Sequence, residues 1–164
     1  MKITIGASRN ATNALGSEAI QWWLNTDYSH VYVRWFLNDQ KREIVYQASQ
    51  GSCHFLAFNN FTINNIIVKE FNLELTTEQF QEFSAKCVDL AGQKYSKLEL
   101  IQILLSDLSK GRLKFKDQPG YICSELMAEL LIGLGYLFNK PLYLITPKDI
   151  VVTLENGPLY YNFI

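Results

Sequence analysis

The sequence predicts a mixed α+β domain in which an antiparallel β-sheet packs against helices. Three observations predict it. Residues 28–37 and 40–48 are rich in β-branched and aromatic side chains and are separated by Asn38-Asp39, the pattern of a hairpin. Residues 77–90 and 122–134 carry apolar positions at helical spacing. A cysteine, Cys123, falls at the start of the second of these helices, directly after the break at Pro119-Gly120.

The composition is that of a folding chain. At 164 residues it has the length of one domain, taken here as 1–164, and 48% hydrophobic content sets it apart from disordered sequences. Fifteen basic and sixteen acidic residues leave a net charge of -1 and form no basic stripe, so nucleic acid is not an expected partner. Cys53, Cys87 and Cys123 are odd in number and lack CxxC spacing. They suggest neither a disulfide framework nor a zinc site, and no metal or cofactor is expected. No run approaches the ~18–20 apolar residues of a membrane span, and the N-terminus has no secretory pattern. A cytoplasmic location is expected, with delivery elsewhere requiring a partner; the oligomeric state is not readable.

Along the chain, Lys2 to Gly6 reads as a short strand ending in a Gly6-Ala7-Ser8 turn. Gly16-Ser17-Glu18 then opens a helix carrying Ala19, Ile20, Trp23 and Leu24 on one face, closed by Asn25-Thr26-Asp27. Trp22 and Trp23 fit core and rim better than a ligand platform. After the hairpin, residues 49–60 read as a loop holding Cys53 and His54, adjacent residues that cannot chelate from one strand because neighbours point to opposite faces. Residues 63–75 read as a strand, and Thr76 or Thr77 as the cap of the helix bearing Phe80, Phe83, Cys87, Val88 and Leu90. Cys87 lies on its apolar face and is expected to be structural. A helix over 98–108, a basic segment over 110–116, an extended piece at 141–145, a turn or single helical turn at Thr146-Pro147-Lys148-Asp149, a strand over 150–154 and an aromatic tail complete the chain.

Cys123 is the chemically interesting position. In the first turn of a helix, unpaired N–H groups and the dipole favour a thiolate and can hold an oxyanion. Alone, such a cysteine is more often a small core residue. A thiol nucleophile needs a base and a polar group to orient that base, and the hairpin supplies both. With a two-residue turn at Asn38-Asp39, His30 faces Gln47 directly; with a four-residue turn, Ser49 faces His30 and Gln47 is its diagonal neighbour.

Ser29-His30-Val31-Tyr32-Val33, Val45-Tyr46-Gln47-Ala48, Gly92-x-x-Tyr95, Tyr121-x-Cys123-Ser124-Glu125-Leu126 and Thr146-Pro147-x-Asp149-Ile150 together resemble the circularly permuted branch of the NlpC-type peptidase superfamily. That branch includes YiiX-like proteins and lecithin:retinol acyltransferase-like enzymes, and the opening strand is also similar to phage-encoded members. The resemblance covers most of the chain. It implies a papain-like fold and a thiol-dependent reaction on an acyl group, with Cys123 as nucleophile, His30 as base and Gln47 as orienting residue. It makes Tyr95 and Ser124 candidates for the substrate and oxyanion site. Relatives often carry histidine or glutamate at the third position, so the neutral Gln47 orients the imidazole without lending it charge. Glu125 suits the helix dipole and reads as structural.

The expected function is therefore a cysteine peptidase or amidase working through an acyl-cysteine on a peptide or other acyl substrate. A thiol acyltransferase or a lipid or thioester hydrolase is the runner-up. The alternative of another class is a non-catalytic module of a virion, or one that binds a host protein, retaining the fold.

Overall fold

The structure is a computed structural model that describes residues 1–12, 15–94 and 121–157. The expected helix over 98–108, the basic segment, Tyr95 and the tail beyond Gly157 lie outside the described residues. The rest is a five-stranded antiparallel sheet packed with helices, as the α+β pattern predicts.

The strands are β1 (Lys2–Asn10), β2 (His30–Leu37), β3 (Arg42–Ser49), β4 (Ser52–Ala57) and β5 (Asn65–Glu74), in the spatial order β4-β3-β2-β1-β5. β2 is thus the central strand. β1 continues through Gly6-Ala7-Ser8 in place of the expected turn, with a register shift against β5 between Ala7 and Ser8, and Gly6 lies opposite Tyr32. A Cβ on Gly6 would sit 2.2 Å from Cζ of the buried Tyr32 ring. The missing side chain admits the aromatic ring.

The β2–β3 connection spans Asn38 to Lys41, since Leu37 pairs with Arg42. Of the two turn lengths left open by the sequence, the four-residue one is observed, with Lys41 at φ 50° closing it. The expected loop at 49–60 is corrected. Gln50 and Gly51, with φ 49° and 101°, make a two-residue turn of the kind whose twist suits a hairpin, and β4 follows. Helix α2 (Phe58–Asn64) then crosses to β5.

Alternation along β2 divides the molecule. Val31, Val33 and Trp35 point into the main core with Ile3, Ile5, Tyr46, Phe83, Cys87, Leu126, Met127 and Leu131. Tyr32 points to the other face, where Val45 and Phe61 of α2 form a smaller cluster. Further along that face Arg34 grips both carboxylate oxygens of Glu70 at 2.9 Å, Tyr32 donates to the same carboxylate at 2.8 Å, and the guanidinium lies 4.6 Å from the Phe58 ring centroid. This set ties β2, β5 and α2 together.

On the main-core side lie α3 (Thr77–Asp89), α4 (Cys123–Gly133) and α5 (Pro147–Asn156). α3 begins at the expected cap: the Thr76 hydroxyl accepts from the Gln79 N–H and the Gln79 side chain accepts from the Thr76 N–H. The strand expected over 150–154 is a helix, started by the same device between Thr146 and Asp149 with Pro147 in the first turn. Residues Leu142–Leu144, expected to be extended, form one 3-10 turn. α1 (Leu15–Leu24) ends at Asn25 as expected, with φ 50°, and it buries only Leu24 while Trp22 is exposed.

Gly6→Ala should destabilise the fold by ~1–3 kcal/mol through overpacking against Tyr32, measured by chemical denaturation. Gly6→Ala/Tyr32→Leu should recover part of that loss by vacating the ring.

Candidate active site

Three elements converge at one end of β2. Ile122 is extended and Cys123 opens α4, so the cysteine sits in the first helical turn as its spacing predicts. α4 packs on β2 and β3 through Leu126, Met127, Leu130 and Leu131, all buried. That packing places its N-terminus on the β2 backbone. The backbone N–H groups of Val31, Ser124 and Cys123 itself lie about the Cys123 sulfur and favour its thiolate.

Val31 follows His30. The His30 Nε2 lies 2.7 Å from Gln47 Oε1, so the ring nitrogen donates and the amide oxygen accepts. The paired residues run from Val33↔Tyr46 to Leu37↔Arg42, and this register continued along the strands sets Ser49 opposite His30 and makes Gln47 its diagonal neighbour. The second of the two alignments read from the sequence is the one observed, and Gln47 remains on the face of His30. Because Nε2 carries the proton, Nδ1 of a neutral His30 is left with a lone pair.

His54, given no weight from the sequence, belongs to this group. β3 and β4 pair Gln47 with His54, and Gln47 Nε2 lies 3.4 Å from His54 Nε2. His54 Nδ1 donates to the Ser52 carbonyl at 3.0 Å. Reading 49–60 as a loop hid it. The cue was Gly51 between two polar-apolar stretches, which marks a hairpin turn.

Ser124 has a different place from the one expected of its side chain. It is fully buried, and its hydroxyl donates to the Ile145 carbonyl at 2.5 Å, tying α4 to the segment before α5. Only its backbone N–H faces the sulfur. Tyr95 lies outside the described residues. Cys87 is fully buried on α3, and burial pushes its thiol up; burial likewise pushes Cys53 up to about 11.

Burial favours the neutral forms of both Cys123 and His30. Burial pushes the Cys123 thiol up to about 11, against the pull of its three N–H partners. Loss of water pushes His30 down to about 4, although part of the residue reaches solvent; the Gln47 bond opposes this shift and His54 adds to it. The expectation of a thiolate favoured by the helix start is thus outweighed by desolvation in this state. The hydrogen bonds of the described residues include none directly between the sulfur and the His30 ring. His30 lies toward Phe61, with ring centroids 6.4 Å apart, while Cys123 belongs to the main core. The two approach the same end of β2 from its two sides.

No family model matches the chain, and no curated protein matches it. Among solved structures, that of the metalloprotein yiiX from Escherichia coli O157:H7, DUF1105, is similar to it at 17% sequence identity, with 92% of this chain and 89% of that chain covered and a TM-score of 0.47. Among the described residues here, no group of three or more His, Cys, Asp or Glu side chains is arranged to hold a metal ion. Three of the four ring nitrogens of His30 and His54 are engaged by Gln47 and Ser52. No helix of the described residues is long and apolar enough to cross a membrane.

The imidazole shift gives a pH signature. A histidine whose pKa falls on folding contributes stability above ~6.5, the unfolded value, and that contribution is lost as pH falls toward about 4. Denaturation midpoints of the wild type and His30→Gln should diverge across that window. The wild type should lose at most ~3 kcal/mol, less where solvent screens the ring. Ser124→Ala, which orphans the Ile145 carbonyl, should lower stability by ~1–3 kcal/mol. It should leave the alkylation rate of Cys123 unchanged, since only the backbone N–H of Ser124 meets the sulfur.

Proposed function

We propose that the protein is a cysteine-dependent acyl hydrolase, a peptidase or amidase in its first-choice chemistry, with Cys123 as nucleophile, His30 as base and Gln47 as orienting residue. The observation that carries this reading is the 2.7 Å bond between His30 Nε2 and Gln47 Oε1. It leaves Nδ1 as the ring's free base at the strand end where the Cys123 sulfur meets the Val31 N–H.

In this reading substrate binding brings the sulfur and Nδ1 together. The Cys123 proton passes to Nδ1 as the sulfur attacks the acyl carbon, and the carbonyl oxygen becomes an oxyanion. N–H groups at the start of α4 are the available donors for that charge. Collapse breaks the bond to the leaving group, which takes the proton from the imidazolium, and leaves an acyl-cysteine thioester. Water, deprotonated by His30, then releases the acid and restores the thiol. An amine or hydroxyl acceptor in place of water would make the same site an acyltransferase. The Gln47 oxygen supports the imidazolium by a hydrogen bond without a full charge, which points to a modest rate.

One observation favours a non-catalytic role instead: Cys123 is 6% exposed and its thiol is pushed up to about 11, as for a thiol that only packs.

The two readings separate by mass spectrometry. Incubation with a p-nitrophenyl ester should add one acyl group, mapped by peptide digestion to Cys123, and Cys123→Ala should lose it. His30→Ala should slow acylation ~10²-fold or more, the contribution of a general base. An unmodified Cys123 in folded protein would leave the packing role standing. Partition of the acyl group between water and an added amine distinguishes hydrolase from transferase.

A further inference from the structure

We infer that His54 is a positioning residue that selects the tautomer of His30 by fixing the orientation of the Gln47 amide; this rests on the acyl-transfer reading for its use, and on hydrogen-bond geometry alone for its existence.

A glutamine amide between two rings has two orientations, and only one leaves His30 a base toward the cysteine. If Gln47 offers its oxygen to His30, the ring holds its proton on Nε2 and keeps the Nδ1 lone pair. If it offers its NH2 group, Nε2 must accept, the proton moves to Nδ1, and the base is lost. The surroundings choose between these states. The Ser52 carbonyl can only accept, so His54 Nδ1, 3.0 Å away, carries its ring proton. Neutral His54 then has a bare Nε2, which can only accept. Gln47 therefore turns its NH2 group to His54, at 3.4 Å, and its oxygen to His30, at 2.7 Å. The polarity of the whole chain is biased by one backbone carbonyl.

The strand architecture makes this possible. Gln47 and His54 are direct partners in the β3–β4 ladder, and Ser52 lies two residues before His54 on the same strand. Gln47 is buried, so water does not compete for its amide. The long 3.4 Å link makes the bias that of one ordinary neutral hydrogen bond, worth about five-fold in the ratio of the two amide orientations.

The chain has two histidines, which makes ring nitrogen NMR direct. In wild-type protein at pH ~8, where a free imidazole is neutral, the two rings should show opposite tautomers: protonated Nε2 and bare Nδ1 in His30, protonated Nδ1 and bare Nε2 in His54. A protonated Nε2 on His54 in folded wild type would overturn the inference without any variant. His54→Leu should convert His30 to a mixture of tautomers and slow acylation of Cys123 by about two-fold, as the competent fraction falls. His54→Gln, which returns an acceptor near the same point, should restore both readouts. A His30 that stays wholly protonated on Nε2 in folded His54→Leu also overturns it. Ring patterns as stated together with an inert Cys123 would uphold the positioning and overturn the acyl-transfer reading alone.

Discussion

The pairing register of β2, β3 and β4 is the constraint on which the site depends. Leu37↔Arg42 across the first hairpin and Ser49↔Ser52 across the second fix every cross-strand neighbour between them. A slip of one residue would send Gln47 to the main core, away from His30 and His54, and would bring Tyr46 to the face of α2. The four-residue connection, closed by Lys41 in the left-handed region, and the Gln50-Gly51 turn are therefore as necessary to the polar chain as the side chains in it. Burial holds the register: Val33, Val45 and Tyr46 are wholly buried, and none could change faces without exposing apolar surface or burying a polar group.

The same burial decides the charge state. Helix-start N–H groups act on the Cys123 sulfur, as its position predicts, but they do so in a place that has lost its water. Desolvation of a thiolate outweighs a few N–H donors, so the thiol keeps its proton. The imidazole, desolvated as well, stays neutral. Both shifts oppose a resting thiolate-imidazolium pair. An acyl reaction here would create its charges only as bonds change, and the donors would then be spent on the transition state instead of on a resting ion.

Much of this arrangement was legible in the sequence, and the misses share a cause. The helical placement of Cys123, the cap at Thr76 and the hairpin all rest on local patterns, and local patterns were sufficient. His30 and Gln47 share a face under either turn length, because the two alignments differ by two residues and a strand repeats every two. β4 was lost because six residues beginning Ser-Cys-His have little strand propensity of their own; their strand is made by pairing with β3. Ile150-Val151-Val152 reads as a strand by its β-branching, but the helix start at Thr146, Pro147 and Asp149, legible as a single helical turn, propagates through it. Ser124 was read for its chemistry, whereas its hydroxyl answers a buried carbonyl that the sequence does not reveal.

A neutral glutamine beside His30 is consistent with its surroundings. Gln47 is 5% exposed, and a carboxylate there would have to be desolvated beside His54 without a cation among the side chains that bond it. An amide avoids that cost but is symmetric in shape, and its oxygen and nitrogen are exchanged by a half-turn about one bond. Where a carboxylate would orient the imidazole by charge alone, a glutamine needs something to tell its two ends apart. Ser52, through His54, supplies that distinction with a main-chain carbonyl that cannot change its role. Exchanging charge for hydrogen-bond polarity thus moves part of the site's specification outward by one strand, from β3 to β4.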